Sequence, residues 1–330
     1  MAADGVVVVT GGSGYVGAVL VGRLLAAGHS VRVLDSLLHG QDEVARELES
    51  LGAELTVGDI RDSSARKSVL EGASAVVHLA AIVGDPACAR DPATAAQVNV
   101  EGSLAVVEAA ERAGVSRLVF ASTCSNYGRI ADPTVPIDED GALSPVSLYA
   151  EQKVAIERSL LERKDDSMAV TCLRFATVYG VAPRMRFDLT VNEFTRDLWA
   201  GQALQVFGEQ FWRPYVHVND AAQGIERVLA APLAAVAGRV FNVGQTSENY
   251  TKEHIVAEVR DQLGRGEVVY VHRDEDPRDY KVSFDRIAAH LGFEPQETIS
   301  TGIAELITAL ETRRFGDPFD PRYRNTPPPQ

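Results

Sequence analysis

Short, unbroken runs of apolar residues alternate with longer amphipathic stretches through the first half of the chain. We predict buried strands at these runs: Val6–Val9, Val31–Leu34, Glu54–Val57, Ala75–Leu79, Arg117–Ala121 and Ala169–Arg174. Because the runs are continuous rather than alternating, helices are expected to cover both faces of a parallel sheet.

Amphipathic segments between these runs predict the helices. Tyr15–Ala27 follows the first strand and is expected to end at Gly28, and the longest helices are expected at Ala93–Ala113 and Val146–Arg163. The regular alternation of strand and helix predicts an α/β fold, a doubly wound parallel sheet of the Rossmann type.

The alternation ends after Tyr179-Gly180, where a loop precedes a predicted helix at Leu189–Ala200. A further helix at Ala221–Leu229 and a strand at Val240–Val243 are predicted to return to the first sheet. We therefore expect a dinucleotide-binding domain of residues 1–179 plus about 213–244. A smaller mixed α/β C-terminal lobe should comprise 180–212 plus about 245–315, and 316–330 should form a tail whose proline-rich end, 326–330, is disordered.

Composition narrows the possible partners. With 45% apolar and 24% charged residues, the chain has the balance of an ordinary globular protein, and no apolar run approaches the roughly 20 residues that span a bilayer. A net charge of −14 argues against a nucleic-acid partner. We expect Val6–Val9 to be a buried strand rather than part of a secretory leader, and the three cysteines lack metal-ligand spacing. Together these features predict a cytoplasmic protein with free thiols and no metal site.

The first candidate site is the glycine-rich turn between the first strand and the first helix. Gly11 allows a tight turn, Gly14 allows backbone to approach a pyrophosphate, and Gly17 allows close helix packing. Asp35 ends the second strand, where its carboxylate can accept hydrogen bonds from the adenosine ribose. A 2′-phosphate would be repelled there, and Arg32 should point to the other face, so we predict NAD rather than NADP.

The second candidate site pairs a phenol with a lysine. Tyr149 and Lys153 are four residues apart and therefore share one face of the predicted helix. A neighbouring cation favours the phenolate, so the pair can act as a general acid and base when an alcohol and a ketone interconvert. Ser122 and Thr123, which follow the fifth strand, can each donate a hydroxyl to the reacting oxygen.

Taken in order, these motifs and Arg174-Phe175 resemble the extended short-chain dehydrogenase/reductase family, over about residues 5–315. Within it, the chain is similar to nucleotide-sugar epimerases and dehydratases. The resemblance implies a catalytic set of Thr123, Tyr149 and Lys153, NAD as the cofactor, a nucleotide-diphosphate sugar as the substrate, and a homodimer. The cofactor-binding residues that it implies are Gly11, Gly14, Tyr15, Val16, Gly17, Asp35, Asp59, Ile60, Leu79, Ala80, Ala81, Asn99, Ser122, Tyr149, Lys153 and Phe175.

The same resemblance suggests substrate contacts. Arg213 falls where the family has an arginine for the substrate pyrophosphate, and Arg278, with Arg273 as its competitor, falls where a second one is expected. His217 is expected to be structural. Thr177 stands where 4-epimerases of UDP-glucose typically have an asparagine, so the sugar need not be glucose or galactose.

Two departures from the family pattern bear on the reaction. In the dehydratases, an Asp-Glu pair follows the catalytic threonine and serves the elimination of water, whereas Cys124 and Ser125 follow Thr123 here. This disfavours a dehydratase, and the decarboxylases, which have a glutamate at the Ser125 position. We predict a 4-epimerase that forms a transient 4-keto sugar. The alternatives are a 4-keto-deoxysugar reductase and a non-catalytic dinucleotide sensor, and Cys124 is interpreted as a packed thiol.

Overall fold

The computed structural model describes residues 5–130, 132–163, 167–273 and 278–325. The predicted disordered end, 326–330, lies outside these residues. The strands of the protein, in chain order, are β1 (Val6–Thr10), β2 (Ser30–Asp35), β3 (Glu54–Val57), β4 (Ala73–His78), β5 (Arg117–Thr123), β6 (Ala169–Phe175), β7 (Thr177–Tyr179), β8 (Leu204–Phe207), β9 (Trp212–His217), β10 (Arg239–Val243), β11 (Asn249–Thr251) and β12 (Val268–Val271).

A parallel sheet of seven strands forms the centre of the molecule, in the order β10-β6-β5-β4-β1-β2-β3. The six strands predicted in the first half are all present, and the predicted doubly wound α/β fold is confirmed. The continuous apolar runs are explained by burial on both faces. Val7 and Val9 belong to one core and Val8 to another, and all three are at most 2% exposed.

Helices follow most strands. They are α1 (Tyr15–Ala26), α2 (Asp42–Ser50), α3 (Ser63–Leu70), α4 (Asp85–Arg90), α5 (Pro92–Ala96), α6 (Ser103–Arg112), α7 (Leu148–Leu161), α8 (Thr190–Trp199), α9 (Val218–Ala230), α10 (Leu233–Val236), α11 (Lys252–Leu263), α12 (Asp285–Leu291) and α13 (Ile299–Glu311). Gly28 has a φ of +85°, a left-handed conformation that lets glycine end α1 as predicted. No helix in the described ranges is both long and apolar enough to cross a bilayer.

The predicted helix Ala93–Ala113 is interrupted rather than regular. A π-helical segment, Gln97–Gly102, separates α5 from α6. Such widened turns inside helices occur frequently at functional sites. This one lies along the chain between β4 and β5, and its Asn99 donates a hydrogen bond to Gln152 of α7, the helix that carries two of the catalytic candidates.

Two small sheets build the second lobe, β11-β9-β7 and β12-β8. Their position differs from the predicted boundaries, because β9 pairs with β7 in the small sheet, whereas 213–217 was assigned to the dinucleotide-binding domain. Conversely, Tyr280 and Phe284, assigned to the lobe, pack into the core of the large sheet. Three-residue strands carry too little hydrophobic periodicity to show this exchange in the sequence.

The chain after α13 also differs from the tail expected at 316–330. Phe315 is buried and its ring packs edge-on against Phe187, 5.3 Å between centroids. The Tyr323 ring packs on both, at 5.7 Å and 5.8 Å. We refer to residues 315–325 as the C-terminal segment, and this segment is part of the second lobe.

Candidate active site

A cavity of about 460 Å³ opens at the carboxyl ends of the parallel strands, between the large sheet and the second lobe. Open α/β sheets bind their ligands at this edge. Most of the residues predicted to bind cofactor or substrate line it: Gly11, Gly14, Tyr15, Val16, Gly17, Asp35, Asp59, Ile60, Leu79, Ala80, Ala81, Ser122, Thr123, Tyr149, Lys153, Phe175 and Thr177.

The glycine-rich turn is shaped by close backbone contacts. Gly11 has a φ of +72°, and a Cβ there would lie 2.8 Å from the backbone nitrogen of Ala80. A Cβ on Gly17 would lie 2.2 Å from the carbonyl oxygen of Gly11. Side chains at either position would push the turn away from β4 or from α1. Gly14 precedes α1 without a side-chain cap, so the N-terminus of this helix faces the cavity as an anion site.

Asp35 connects this turn to the end of β2. Its carboxylate oxygens accept hydrogen bonds from the backbone N–H groups of Ser13 and Leu37, both at 2.9 Å. Burial raises the pKa of the carboxyl, and these two bonds oppose the rise. Arg32 bonds Glu54 and the carbonyl oxygen of Glu71 instead, so it points away from the cavity as predicted.

The catalytic candidates meet on the wall formed by β5 and α7. The helix begins here because Ser147 caps it, accepting a hydrogen bond from the N–H of Ala150. The Lys153 Nζ atom donates to the carbonyl oxygen of Ala121 at 2.7 Å and lies 5.9 Å from the centre of the Tyr149 ring. Thr123 accepts a hydrogen bond from the N–H of Ser125 and is 9% exposed.

Burial, rather than the neighbouring Lys153, has the largest effect on the pKa of the Tyr149 phenol. It raises the pKa of Tyr149, and Arg186 is the charged group that opposes the rise. Burial also lowers the pKa of Lys153 to about 8, so the ammonium group stays charged at neutral pH. The phenolate therefore needs positive charge nearby, which Lys153 and Arg186 carry.

Behind this wall lies a buried polar network. Ser122 donates to Glu157 at 2.7 Å, and Arg174 forms a buried ion pair with the same carboxylate. Asn126 also donates to Ser122. Glu157 lies on α7, four residues after Lys153, so the network holds the catalytic helix against β5 and β6.

Cys124 follows Thr123 and is among the cavity-lining residues, but its thiol is buried and hydrogen-bonded. It is 2% exposed, its Sγ donates to the carbonyl oxygen of Arg174 at 3.2 Å, and burial raises the pKa of the thiol. This environment favours the interpretation of Cys124 as a packed side chain, because the reactive form of cysteine is the thiolate.

Three predicted site residues lie outside the cavity lining. Asn99, in the π-helical segment, exchanges two hydrogen bonds with the backbone of Ile82 and donates to Gln152, which precedes Lys153. It therefore connects the loop after β4 to α7, the helix of the catalytic candidates. The family motif points to Asn99 but does not reveal whether its amide faces the cavity or the protein, and its role as a cofactor ligand stays a prediction.

Arg213 and Arg278 are the other two predicted site residues that lie outside the cavity lining. Arg213 lies with its guanidinium 5.4 Å from the ring centre of Tyr280, which itself lines the cavity. Arg278 forms an ion pair with Asp85 at 2.9 Å. Their role as phosphate ligands stays a prediction.

Sequence reasoning did not assign Arg184 and Arg186, which line the cavity from the loop between β7 and α8. Arg186 forms a two-bond ion pair with Asp188, both at 2.9 Å. His39 and Asn325 also line the cavity. The clustering of arginines after Gly180 is visible in the sequence, but only the folded lobe brings it opposite β2.

Comparison with known proteins identifies the family. The sequence model of the NAD dependent epimerase/dehydratase family matches residues 7–244, which is more than half of the chain. The chain belongs to this family. Such an NAD-dependent epimerase/dehydratase is an enzyme of the extended short-chain dehydrogenase/reductase type, which confirms the resemblance seen in the sequence and the predicted cofactor, NAD.

Individual relatives agree with this assignment. The chain is 33% identical to a UDP-glucose 4-epimerase of Mycolicibacterium smegmatis, over 91% of the chain and 96% of the relative. The crystal structure of UDP-glucose 4-epimerase from Thermotoga maritima with UDP-glucose superimposes with a TM-score of 0.84 at 26% identity, covering 94% and 99% of the two chains. A dTDP-glucose 4,6-dehydratase from Streptomyces venezuelae with bound NAD reaches the same TM-score at 27% identity, covering 95% and 99%. Because an epimerase and a dehydratase superimpose equally well, overall similarity does not distinguish the two reactions, and the site residues have to.

Proposed function

We propose that this enzyme is an NAD-dependent nucleotide-sugar 4-epimerase, which inverts the C4 hydroxyl of its substrate through a transient 4-keto sugar. The observation that carries the proposal is the composition of one wall of the cavity. Thr123, Tyr149 and Lys153 line it, while the two positions after Thr123 hold Cys124 and Ser125. The first three residues suit a hydride-transfer site, and the two positions after Thr123 lack the carboxylic acids that water elimination uses.

The residues divide the work as follows. Thr123 donates its hydroxyl to the C4 oxygen and orients it, and Tyr149 takes the proton of the C4 hydroxyl. Lys153 keeps positive charge beside the phenolate. NAD bound at the glycine-rich turn would supply the acceptor, and then the donor, of the C4 hydride. The glycine-rich turn and Asp35 fit this cofactor, since Gly11 and Gly17 leave room for backbone approach and Asp35 lies at the end of β2. The keto sugar then rotates in the site and presents its opposite face. Tyr149 returns the proton to the C4 oxygen as the opposite C4 epimer forms.

We further propose that the substrate carries a nucleoside diphosphate and that the protein acts in the cytoplasm as a homodimer. Its relatives include enzymes named for UDP-glucose and dTDP-glucose. The three cysteines are buried and unpaired, which is consistent with a reducing compartment.

The decisive assay omits any reduced cofactor. Purified protein is incubated with a panel of UDP- and dTDP-linked sugars, including UDP-glucose, and products are identified by NMR. We expect conversion to the C4 epimer over many turnovers, and a C4-deuterated substrate should keep its label. A requirement for stoichiometric NADH or NADPH and a keto sugar would replace the epimerase with a ketoreductase.

Tyr149→Phe tests the proton carrier. It should lower turnover by roughly a hundredfold or more, the usual contribution of a positioned acid and base, while bound NAD is retained. Tyr270→Phe removes a hydroxyl from a residue that is 42% exposed, and this matched control should leave turnover unchanged. If Tyr149→Phe combined with Lys153→Ala leaves every measured activity at the wild-type level, a non-catalytic sensor is the better interpretation.

A further inference from the structure

Arg184 is a buried cation that faces the cavity. It is 5% exposed and lines the cavity from the second lobe, opposite the end of β2. Its guanidinium donates to two neutral carbonyl oxygens, those of Met185 at 3.4 Å and Arg324 at 3.2 Å. Among the described residues, no carboxylate lies close enough to form an ion pair with it.

The nearest carboxylates are already engaged. The Asp188 carboxylate accepts two hydrogen bonds from the guanidinium of Arg186 and a third from the backbone N–H of Asn325. Asp35 accepts two backbone N–H groups instead of the guanidinium. Burying a charged group without a direct counter-ion is costly, so Arg184 is suited to an anionic ligand group in the cavity.

The cavity wall opposite Arg184 indicates which anionic group would bind to it. The uncapped N-terminus of α1 starts at Tyr15, and Asp35 marks the position for the adenosine ribose. In a dinucleotide the pyrophosphate is attached directly to this ribose. Two other basic residues lie near Arg184. Arg186 is paired with Asp188, and burial lowers the pKa of His39 to about 4, so its imidazole is neutral at neutral pH.

We propose that Arg184 binds the pyrophosphate of NAD from the side of the second lobe, across the cavity from the N-terminus of α1. A guanidinium suits this role because its planar fork can bond two phosphate oxygens. The proposal rests on the NAD dependence of the family and does not require that the reaction be an epimerisation.

The C-terminal segment holds this arginine in place. The backbone N–H of Phe187 donates to the carbonyl oxygen of Tyr323 at 2.9 Å, and their rings pack against each other. The carbonyl oxygen of Arg324 accepts the bond from Arg184, and Asn325 lines the cavity beside it. Tyr323 is therefore a positioning residue for Arg184, although it does not itself line the cavity.

The test measures binding rather than turnover. NAD, ADP and adenosine are titrated into wild type and Arg184→Ala freed of cofactor, with folding checked by thermal melting. Loss of a charge-assisted phosphate contact should weaken NAD and ADP by roughly ten- to a hundredfold and leave adenosine unchanged. Arg46→Ala, at an exposed arginine on α2, is the matched control and should bind all three ligands like wild type.

Tyr323→Ala tests the positioning role. It should weaken ADP in the same direction as Arg184→Ala but by less, and adding it to Arg184→Ala should cause little further loss. Three outcomes overturn the proposal: wild-type affinity for NAD in Arg184→Ala, wild-type affinity for ADP in that variant, or an equal loss for adenosine. None of them depends on whether the enzyme epimerises a sugar.

Discussion

His78 at the end of β4 is buried as a neutral imidazole, and this makes stability depend on pH. It is 1% exposed and bonds the hydroxyls of Thr10 at 2.6 Å and Ser103 at 2.9 Å. Burial lowers its pKa from 6.5 to about 3, with Lys153 contributing further. The pKa of His78 is lower in the folded chain than in the unfolded chain. The contribution of His78 to the free energy of unfolding is therefore fully present above pH 6.5 and is lost as the pH falls toward 3.

The size of the effect follows from that shift. At pH 5 the imidazole of the unfolded chain takes up a proton, whereas the folded one does not. The interval from 6.5 down to 5, at about 1.36 kcal/mol per unit, gives about 2 kcal/mol of destabilisation from His78 alone. Replacing His78 with a residue that does not titrate should remove this part of the pH dependence, whatever it does to stability at pH 7.5.

Urea unfolding of wild type and His78→Gln at pH 7.5 and pH 5 measures this. The free energy of unfolding should fall less in the variant between the two pH values, by about 2 kcal/mol. His39, whose pKa burial also lowers, is present in both proteins and cancels in the difference. His290→Gln, at an exposed histidine, is the control and should behave like wild type. Equal losses in wild type and His78→Gln would refute the reasoning.

Two further substitutions test the cofactor site and the network behind it. Asp35→Asn keeps one acceptor oxygen but removes the charge, so NAD affinity should fall about tenfold or more while NADP affinity falls less, as measured by titration. An equal loss for both dinucleotides would contradict the ribose assignment. Arg174→Met leaves the Glu157 carboxylate buried without its cation and should cost about 3–5 kcal/mol in urea unfolding, more than Glu157→Met combined with Arg174→Met. If the double variant is the less stable one, the ion pair does not behave as a buried pair.

The sequence predicted the central sheet well because its strands are buried on both faces. A run such as Val6–Val9 has no polar alternation, and its neighbours in the sheet have the same composition. The glycine-rich turn, Asp35 and Tyr149 were located for a related reason, since each follows a recognisable strand or lies at helical spacing.

Features that depend on long-range packing were not predictable in this way. β7 and β11 have three residues each, too few to show a period, and they are defined by pairing with β9. Arg184 lies at the cavity beside the C-terminal segment, and the hydrogen bond between them joins positions 140 residues apart. Asn99 carries a polar amide whose direction is fixed by Ile82 and Gln152, residues distant in sequence.

Tyr15, the first residue of α1, joins the two lobes. Its hydroxyl donates to the carbonyl oxygen of Gly180 at 2.6 Å and accepts from Asn192, and its ring lies in the apolar core of the second lobe. Val16 and Val19 of the same helix also pack on that core. The helix that we propose receives the dinucleotide is thus a structural part of both lobes. The second lobe is not an exchangeable module: a chimaera that took it from a relative would also have to take the inner face of α1, and with it part of the cofactor site.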